Sequence, residues 1–405
     1  MKKVIVVGAG AAGSMAAIFA ASSGAETLLL ERTRDGGRKI LISGGGRCNV
    51  LPIDMDETRF VTDSSPNLLR KMLRSWPLHE QVAFFENDLG IPLVEEQELG
   101  KRFPASHKAR DVRDGLLSHA SAKGVTIAYD TTVSDFGPTT GGWRVDLENG
   151  EPILADSVII ASGGLSVPNT GSDGTGLRVL EKLGHKMNPT YAALTPLTSN
   201  DAEFGSLSGV SFPLTLSARA PARSSSASGG FLFTHHGYSG PSVLNVSHVA
   251  VRSSMEGGPP ARISVKWTAL GEKEWENALK PQGLRTVLGA LRAELPDRLV
   301  SVLLAKIDVN PERILSELRR DERLRLIEML VRGELPWTGD EGYRKAEVTG
   351  GGVELGEVNP RTMESKRHPG LFICGEVLDA FGPIGGYNFA WAWATGRAAG
   401  IGAAG

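Results

Sequence analysis

The feature that most constrains the fold lies at the start of the chain, where residues 2–32 read KKVIVVGAGAAGSMAAIFAASSGAETLLLER. This pattern predicts an apolar strand ending at Val7, a helix of small residues from Ala11 to Ser22, and a second strand from Thr27 to Glu31. A strand, a glycine turn, a helix and a second strand form a βαβ unit. The sequence therefore predicts an α/β domain with a Rossmann-like sheet.

The turn of this unit has the spacing G-x-G-x-x-G, formed by Gly8, Gly10 and Gly13. The first glycine permits the tight turn, the second lets a pyrophosphate approach the backbone, and the third lets the helix pack against the strand. Glu31 follows at the end of the second strand, where a carboxylate accepts hydrogen bonds from ribose hydroxyls. We predict a dinucleotide that contains ADP; the alternative is a glycine-rich turn without a ligand.

The next stretch, RTRDGGRKILISGGGRCN at residues 32–49, distinguishes between the two common dinucleotides. Its basic side chains are Arg32, Arg34, Arg38, Lys39 and Arg47. With two glycine turns they suit a pyrophosphate and the ribityl chain that follows it in FAD, whereas NAD-binding units usually continue with an ordinary helix and strand. FAD is therefore predicted, and an exposed loop of solvated charges is the alternative.

A second glycine-rich turn precedes a helix at the end of the chain, where residues 368–400 read HPGLFICGEVLDAFGPIGGYNFAWAWATGRAAG. We predict a strand from Leu371 to Cys374, a turn at Gly375–Glu376 and a helix from Asn388 to Ala399. The helix N-terminus at residues 387–389 would present N–H groups and a positive dipole end to the pyrimidine edge of a reduced flavin. The alternative is a helix that only packs, and the two roles are compatible.

Two further stretches belong to the predicted cofactor site. DSVIIASGGLSVPNTGSDGTG predicts a strand from Ser157 to Ala161 followed by small residues at 162–164, which would let the cofactor pass close to the chain. The alternative is an ordinary buried strand and loop. VTIAYDTTVSDF is interpreted as one strand that presents backbone near Val133 to the adenine, an expectation that comes from the fold type.

Four stretches, in this order over nearly the whole chain, carry a family resemblance: GRKILISGGGRCNV, FTHHGYSGPSVLNVS, KAEVTGGGVELGEVNPRTMESK and GLFICGEVLDAFGPIGGYNFAWAWATG. The chain resembles the aminoacetone oxidase-like, or HI-type insert-domain, family of bacterial NAD(P)/FAD-dependent oxidoreductases. The resemblance implies an FAD-binding domain of glutathione-reductase type at residues 1–187 and 346–405. It also implies an insert with a β-rich part at 188–270 plus 335–345 and a helical part at 271–334.

The resemblance places FAD on both glycine turns, on Glu31, on the 38–49 segment and on the last helix. Together with the residue patterns, it gives the predicted cofactor contacts as Gly8, Gly10, Ala12, Gly13, Glu31, Arg32, Arg38, Lys39, Gly45, Gly46, Arg47, Cys48, Asn49, Val133, Ala161, Ser162, Gly163, Gly375, Glu376, Gly386, Tyr387, Asn388 and Phe389. The chain departs from the family pattern at Leu51–Pro52, Phe381–Gly382 and Phe389–Ala390. These departures lie near the expected flavin and substrate, so no substrate is transferred with the resemblance.

The insert shows two patterns. Short alternating runs between residues 188 and 270 predict a small antiparallel β unit, in which RAPARSSSASGG is expected to be a mobile loop. From 272 to 334, apolar residues at helical spacing predict helices, with Ile314, Leu315 and Leu318 followed by Ile327 and Leu330.

Catalytic candidates in the insert come from FTHHGYSGPS. His235, His236 or Tyr238 would reach the flavin as a proton donor or substrate ligand; turn and packing roles are the alternative. Tyr387, at the start of the last helix, is a further candidate. No metal site is predicted, because adjacent histidines point in opposite directions on a strand and no Cys or acidic pair completes a ligand set. A redox role for Cys48 is left open, although no C-x-x-C partner accompanies it.

Charge and cysteine content restrict the partners. The 44 basic and 46 acidic residues give a net charge of -2, which favours a small-molecule substrate over nucleic acid or a membrane. Two cysteines without a metal or disulfide pattern fit a cytoplasmic protein. We therefore predict an FAD-dependent oxidoreductase that transfers hydride between a small organic substrate and flavin N5. It would act as an amine or C–H oxidase or as a reductase supplied by transiently bound NAD(P)H; a flavin-binding sensor or scaffold is the alternative.

Overall fold

The computed structural model describes residues 1–405, which divide into two compact units. Unit 1 comprises Met1–Ala192 and Glu347–Gly405, and unit 2 comprises Ala193–Ala346. The first junction therefore falls at Ala192, where the sequence predicted 187. The expected helical part, 271–334, shares one apolar core with the β-rich part and is not a separate unit.

The elements are numbered in chain order. The strands are β1 (Lys3–Val7), β2 (Glu26–Leu30), β3 (Leu51–Pro52), β4 (Leu93–Glu96), β5 (Lys101–Pro104), β6 (Thr126–Ala128), β7 (Val133–Thr139), β8 (Gly142–Leu147), β9 (Ile153–Ala155), β10 (Ser157–Ile160), β11 (Met187–Ala193), β12 (Leu197–Thr198), β13 (Ser211–Ala220), β14 (Arg223–Phe233), β15 (Gly237–Ser239), β16 (Arg262–Lys266), β17 (Gly333–Glu334), β18 (Gly339–Asp340), β19 (Val348–Val353) and β20 (Leu371–Ile373). The α-helices are α1 (Ala11–Ser22), α2 (Arg38–Ile42), α3 (Pro66–Leu73), α4 (Leu78–Ala83), α5 (Ala109–Ala122), α6 (Thr175–Lys182), α7 (Ala202–Gly205), α8 (Pro241–Met255), α9 (Glu272–Ala278), α10 (Val287–Leu291), α11 (Asp297–Lys306), α12 (Arg320–Arg332) and α13 (Tyr387–Ala404).

Unit 1 is built on a five-stranded parallel sheet in the order β20-β10-β1-β2-β6. Strands far apart in sequence pair directly, since Val158 lies opposite Leu371. These strands are rich in Val, Ile and Leu because helices or loops cover both faces of a parallel sheet. The predicted Rossmann-like α/β fold is confirmed, and the strand predicted at Thr27–Glu31 runs one residue earlier.

Two smaller antiparallel sheets, β3-β5-β4 and β7-β8-β9, and the pair β11-β19 complete unit 1. The prediction of one strand over VTIAYDTTVSDF was wrong. The chain forms β6, which joins the parallel sheet, turns at Asp130 with φ 50°, and then forms β7 in another sheet. The polar run Asp130–Thr132 supplies the turn that alternation of apolar residues did not reveal.

Unit 2 contains a seven-stranded sheet in the order β17-β16-β13-β14-β15-β12-β18. The segment RAPARSSSASGG is not a loop, since most of it lies in β13 and β14. Ser217 and Ser226 face each other across the hairpin with their hydroxyls 3.0 Å apart, and Thr215 and Ser228 do so at 2.8 Å. Backbone pairing with an apolar neighbour strand therefore overrides the low β-propensity of the serine run.

Most helices of unit 2, α9 to α12, lie between β16 and β17 along the chain. The predicted helical spacing holds for Ile327 and Leu330 in α12, both of which are buried. It fails for Ile314, which forms an isolated β-bridge with Thr286, and for Leu315, which begins a single 3-10 turn. No helix of the protein combines the length and the apolar character needed to cross a membrane.

Candidate cofactor site

The turn after β1 has the geometry that its three glycines predict. Gly8 has φ 101°, in the left-handed region, and a Cβ on Gly13 would lie 1.8 Å from the carbonyl oxygen of Gly8. A Cβ on Gly10, by contrast, would meet no atom within 4 Å. Gly10 precedes α1, whose N-terminus has no side-chain cap. The open space and the free backbone N–H groups together form a site suited to a phosphate group.

Glu31 is nearly buried at the end of β2 and organises the neighbouring turns. Its Oε2 accepts a hydrogen bond from the Ala9 N–H at 2.9 Å, and its Oε1 accepts from the backbone and the hydroxyl of Thr33 at 2.8 and 2.6 Å. A carboxylate oxygen can accept more than one hydrogen bond, so the predicted contact with ribose hydroxyls is compatible with these bonds. The Thr131 N–H donates to the Glu31 carbonyl, which brings the chain before Val133 beside this residue.

Two of the arginines after Glu31 are paired with acids. Arg32 lies 2.5 Å from Asp173, and Arg38 lies 2.7 Å from Asp35. The hydrogen bond from Arg38 lowers the pKa of Asp35 below its usual range. These ion pairs fix Arg32 and Arg38 near the start of the 32–49 segment, and each arginine side chain is about one-third exposed.

Lys39 connects the two ends of the chain. Its ammonium lies 2.8 Å from Glu376 and 2.7 Å from the Ser166 hydroxyl. Glu376 also accepts from the Ser166 hydroxyl at 2.6 Å and from the Thr349 N–H at 2.9 Å. Burial alone would raise the pKa of Glu376, but the Lys39 charge and these hydrogen bonds outweigh it and lower the pKa. The predicted contacts Lys39 and Glu376 thus belong to one network.

The turn at residues 43–49 is held open by left-handed backbone. Gly44, Gly45 and Gly46 have φ between 55° and 85°, and Cys48 has φ 63°. The Oδ1 atom of Asn49 is buried without a hydrogen-bond partner, and a Cβ on Gly45 would meet no atom within 4 Å. A buried acceptor without a partner is a group that a ligand can satisfy.

Cys48 and Arg47 were predicted as cofactor contacts, but the Cys48 side chain is buried and the Arg47 side chain is paired with Glu96. Burial raises the pKa of the Cys48 thiol to about 12, so it stays protonated and the structure gives no support to a redox role. Arg47 lies 2.7 Å from Glu96 and its guanidinium stacks 4.1 Å from the centroid of the Phe103 ring. The side chain of Arg47 therefore joins the turn to the sheet β3-β5-β4.

The ends of β10 and β20 bring small residues against the first turn. A Cβ on Gly8 would lie 2.7 Å from the carbonyl oxygen of Ala161, and a Cβ on Gly375 would lie 2.7 Å from the Cβ of Ala12. Gly163 has φ 73°, and the hydroxyl of Ser162 is buried without a partner. The predicted residues at 161–163 and 375 thus lie beside the turn that follows β1.

The start of α13 also has an open N-terminus. Gly386 has φ 97°, no side chain caps the helix, and a Cβ on Gly386 would lie 2.4 Å from the carbonyl carbon of Leu51. Asn388 exchanges two hydrogen bonds of 2.9 Å with the backbone of Gly382, and the Phe389 ring stacks on Trp393. These bonds fix the turn so that the N–H groups of the first helical turn stay available.

The two open helix N-termini have a defined offset. A Cβ on Gly396 would lie 2.4 Å from the backbone oxygen of Ala12, and one on Gly400 would lie 2.3 Å from that of Ala16. The helices α1 and α13 therefore run parallel in close contact. Gly396 is the tenth residue of α13 and Ala12 is the second residue of α1, a difference of eight residues. At 1.5 Å per residue, α13 begins roughly 12 Å beyond the start of α1.

An offset of this size suits a dinucleotide whose pyrophosphate lies at α1 and whose flavin ring lies at α13. The open space at Gly10 and Gly45, the unpaired Asn49 Oδ1 and the uncapped helices fit FAD. The family model described as the HI0933-like protein Rossmann domain matches residues 2–402.

The chain belongs to this HI0933-like family. The family lies within the FAD-binding oxidoreductases, which confirms the flavoprotein and FAD predictions at that level.

Two curated relatives extend over almost the whole chain. The chain is 33% identical to a ribosomal RNA dihydrouridine synthase of Escherichia coli, over 96% of this chain and 95% of that protein. It is 30% identical to a 3-dehydro-bile acid delta(4,6)-reductase of Clostridium scindens, over 100% and 99%. Neither is named as an aminoacetone oxidase, so that part of the resemblance is not supported by these two proteins.

Among solved structures, the fold is similar to a 3-ketosteroid delta1-dehydrogenase of Sterolibacterium denitrificans. The TM-score is 0.52 at 12% identity, with 99% of both chains covered. At 12% identity this similarity shows that the HI0933-like chain shares that fold and nothing further.

The catalytic candidates of the insert lie in unit 2. His235 and His236 are exposed in the turn between β14 and β15. Tyr238 is 1% exposed within the aromatic core of unit 2, and its hydroxyl donates to the carbonyl oxygen of Pro336 at 2.9 Å. Burial raises the pKa of Tyr238 far above its usual value. This placement supports the packing role of Tyr238 and not a proton donor.

Tyr387 is buried and fully engaged at the start of α13. Its hydroxyl donates to the carbonyl oxygen of Asp54 at 3.1 Å and accepts from Arg59 at 3.0 Å. The Arg59 guanidinium also lies 5.0 Å from the centre of the ring. Tyr387 therefore anchors the helix in this family member, and its catalytic role stays a prediction without support from these contacts.

Two groups near the site, Asp379 and Lys101, were not predicted from the sequence. Asp379 is buried and accepts from Ser64 N–H and hydroxyl at 2.9 and 2.8 Å, from Asp63 N–H at 3.0 Å and from Asn188 at 2.7 Å. Lys101, in β5, packs its side chain against Gly385. Both depend on segments that are far apart in sequence, so no local spacing could reveal them. No group of three or more His, Cys, Asp or Glu side chains has a metal-binding arrangement.

Proposed function

We propose that the protein is an FAD-dependent reductase that saturates a carbon–carbon double bond conjugated to a carbonyl group. The observation that carries the flavin part of this proposal is the pair of open, parallel helix N-termini of α1 and α13, offset by roughly 12 Å. One suits a pyrophosphate and the other suits the electron-rich pyrimidine edge of a reduced flavin.

A bound flavin would supply hydride chemistry, and the protein would supply position and electrostatics. Gly10 and the first turn of α1 would hold the pyrophosphate, and Glu31 would accept from the ribose hydroxyls of the adenosine. Lys39, Glu376 and Asn49 would contact the ribityl chain. The N–H groups of residues 387–389 would stabilise negative charge on the reduced ring.

Reduction is favoured over oxidation by the names of the two full-length relatives. Dihydrouridine is uridine whose ring double bond has been saturated, and the bile acid enzyme is named as a reductase of a 3-oxo compound. Both names describe saturation of a double bond conjugated to a carbonyl. The amine or C–H oxidase predicted as the other possibility, including aminoacetone-type chemistry, has no such support.

The substrate class is a separate part of the proposal. The net charge of -2 favours a small organic enone over ribosomal RNA, because binding to RNA depends strongly on neutralising its phosphates. NAD(P)H is the proposed electron donor and would bind transiently. No membrane partner is proposed.

The test is an anaerobic titration of the FAD-loaded protein with NADH and NADPH, followed through the visible absorption of the flavin. We expect bleaching by one of the two nucleotides, and recovery of the band on adding a 3-oxo-4-ene steroid. Recovery with a uridine-containing ribosomal RNA fragment alone would move the substrate to RNA. A band bleached by an amine and by neither nucleotide would contradict the reductase, and a band that no donor bleaches would favour the sensor.

A further inference from the structure

Lys101, which is not among the predicted cofactor contacts, lies beside the open N-terminus of α13. Lys101 is in the middle strand of the sheet β3-β5-β4, opposite Pro52 on one side and Glu96 on the other. A Cβ on Gly385 would lie 3.2 Å from Cε of Lys101, and one on Gly386 would lie 2.7 Å from the nitrogen of Pro52. The lysine side chain therefore runs along the glycine turn that leads into the helix.

The ammonium of Lys101 is not committed to a partner. The charges of Glu347, Arg47 and Glu96 act on it at a distance, and none of them forms a hydrogen bond with it. Its neighbours differ in this respect, since Lys39 lies 2.8 Å from Glu376 and Arg47 lies 2.7 Å from Glu96. Burial lowers the pKa of Lys101, as is expected for a cation removed from water without an ion pair.

A half-buried cation without an ion-pair partner costs free energy, unless a negative charge that is present in another state of the protein pairs with it. Phe103, two residues along β5, carries the guanidinium of Arg47 on its ring, and Arg102 pairs with Glu95, so both of these neighbouring cations are already occupied. The position along Gly385 brings the positive charge of Lys101 to the same region as the positive end of the α13 dipole.

We propose that Lys101 is an electrostatic tuning residue of the flavin site, whose charge adds to that of the α13 N-terminus and favours the anionic reduced cofactor over the oxidised one. This inference rests on the proposed FAD function. It predicts that the preference for reduced over oxidised flavin falls when the charge is removed, while the fold and the affinity for oxidised FAD change little.

The experiment measures the two-electron midpoint potential of the flavin bound to the full-length protein. For Lys101→Met we expect the ratio of the affinity for reduced FAD to that for oxidised FAD to fall about tenfold. This corresponds to a midpoint potential lower by about 30 mV. Lys101→Gln is also uncharged but more polar. It should give the same shift, and it replaces the Met variant in the test if Met disturbs folding. Lys101→Arg keeps the charge and should stay near the wild-type value. Lys71→Met, on the exposed face of α3, is the matched control and should not shift.

An unchanged potential in both neutral variants would overturn the inference, and so would an equal shift in Lys101→Arg, because packing would then explain it. Failure of the wild-type protein to bind FAD would instead overturn the proposed function itself. The two failures are therefore separable, because the first requires a flavin-loaded protein and the second is seen before any substitution.

Discussion

The two open helix N-termini of unit 1, at α1 and α13, are formed by different kinds of contacts. At α1 the geometry is mostly local: Gly8, Gly10 and Gly13 lie within six residues and Gly13 packs on the Gly8 carbonyl, although Ala161 also closes over Gly8. At α13 it is assembled from distant segments. Gly386 packs on Leu51, Asp379 accepts hydrogen bonds from residues 62–64, and Tyr387 bonds to Asp54. Local motifs therefore suffice for one end of the cofactor and not for the other.

This difference implies that substitutions at α1 separate cleanly into packing and binding effects. At α13 they do not, because the same contacts position the turn and stabilise the unit. The substitutions below test this contrast, beginning with the largest expected effect.

The glycines of the first turn give the sharpest separation. Gly13→Ala puts a Cβ 1.8 Å from the Gly8 oxygen, so the strand and helix must move apart. We expect the free energy of unfolding to fall by about 3 kcal/mol, at the upper end of the usual cost of overpacking. FAD should be lost from the purified protein. Urea unfolding and the flavin absorption of the purified protein measure the two effects.

Gly10→Ala is the matched variant for the same turn. Its Cβ meets no protein atom within 4 Å, and φ of -80° suits alanine. We expect stability within about 0.5 kcal/mol of wild type, as for substitutions that disturb no packing. FAD affinity should fall at least tenfold, measured by fluorescence titration of the apoprotein. Wild-type affinity in Gly10→Ala would show that the open space is not the pyrophosphate site.

Asp379→Asn tests the assembly of the second end. The substitution replaces an acceptor by an NH₂ group that faces the Ser64 and Asn188 donors. Buried donors left without an acceptor predict a decrease of about 2 kcal/mol in the free energy of unfolding. FAD affinity should fall in parallel because the turn before α13 loosens. Glu151→Gln, at an exposed site, is the control, and an unaffected FAD affinity in Asp379→Asn would contradict the coupling.

Acid should weaken the Lys39–Glu376 network, which joins the two ends. The folded-state pKa of Glu376 is lowered, so its contribution is complete above the unfolded-state pKa, near 4.5, and is lost as pH falls through the folded value. Glu376→Gln should cost about 1–2 kcal/mol at neutral pH, and the difference from wild type should shrink in acid. Urea unfolding from pH 7 to pH 3 measures it. A constant difference would exclude this carboxylate as the titrating group.

Asp379 has the opposite sign, because burial raises its pKa above the usual value. Stability linked to that group is present below the unfolded-state pKa and is lost as pH rises through the folded one. The two carboxyl groups near the cofactor therefore respond to pH in opposite directions, which separates their contributions in the same titration.

Much of unit 1 could be predicted from the sequence. The helix Ala11–Ser22 lies where the glycine and apolar pattern put it, and β1, β10 and β20 agree with prediction to within one residue. These elements are specified by runs of apolar residues with glycine at their ends. The failures share a cause: β14 and the break between β6 and β7 are decided by which strand lies beside them, information that no short window contains.

The site shows the same limit. Gly8, Gly10, Gly13 and Glu31 lie together beside the turn after β1, because the pattern that specifies them is confined to one βαβ unit. The partners of charged residues could not be predicted, since Glu96 for Arg47 and Glu376 for Lys39 come from other parts of the chain. Tyr238 illustrates the converse error, in which a conspicuous polar residue is buried to pack an aromatic core.

Arg47→Ala gives the smallest expected effect. The sequence predicted that the side chain contacts FAD, whereas the structure pairs it with Glu96 and stacks it on Phe103. A pair in which Arg47 is 39% exposed and Glu96 is 29% exposed contributes at most about 1 kcal/mol. A stacked guanidinium adds roughly 0.5–1 kcal/mol. We expect a modest loss of stability and a few-fold weaker FAD affinity, since the turn at residues 43–49 loses its link to the sheet.

Glu96→Gln distinguishes the two explanations, because it breaks the ion pair and leaves the guanidinium in place. If Arg47 acts through the sheet, both variants should weaken FAD binding by similar factors in the fluorescence titration. If Arg47 contacts the cofactor, Arg47→Ala alone should weaken it, and Glu96→Gln should leave it unchanged or strengthen it by freeing the arginine. Equal and unchanged affinity in both variants would remove Arg47 from the cofactor site altogether. The glycines and Asn49 would then define the second turn on their own.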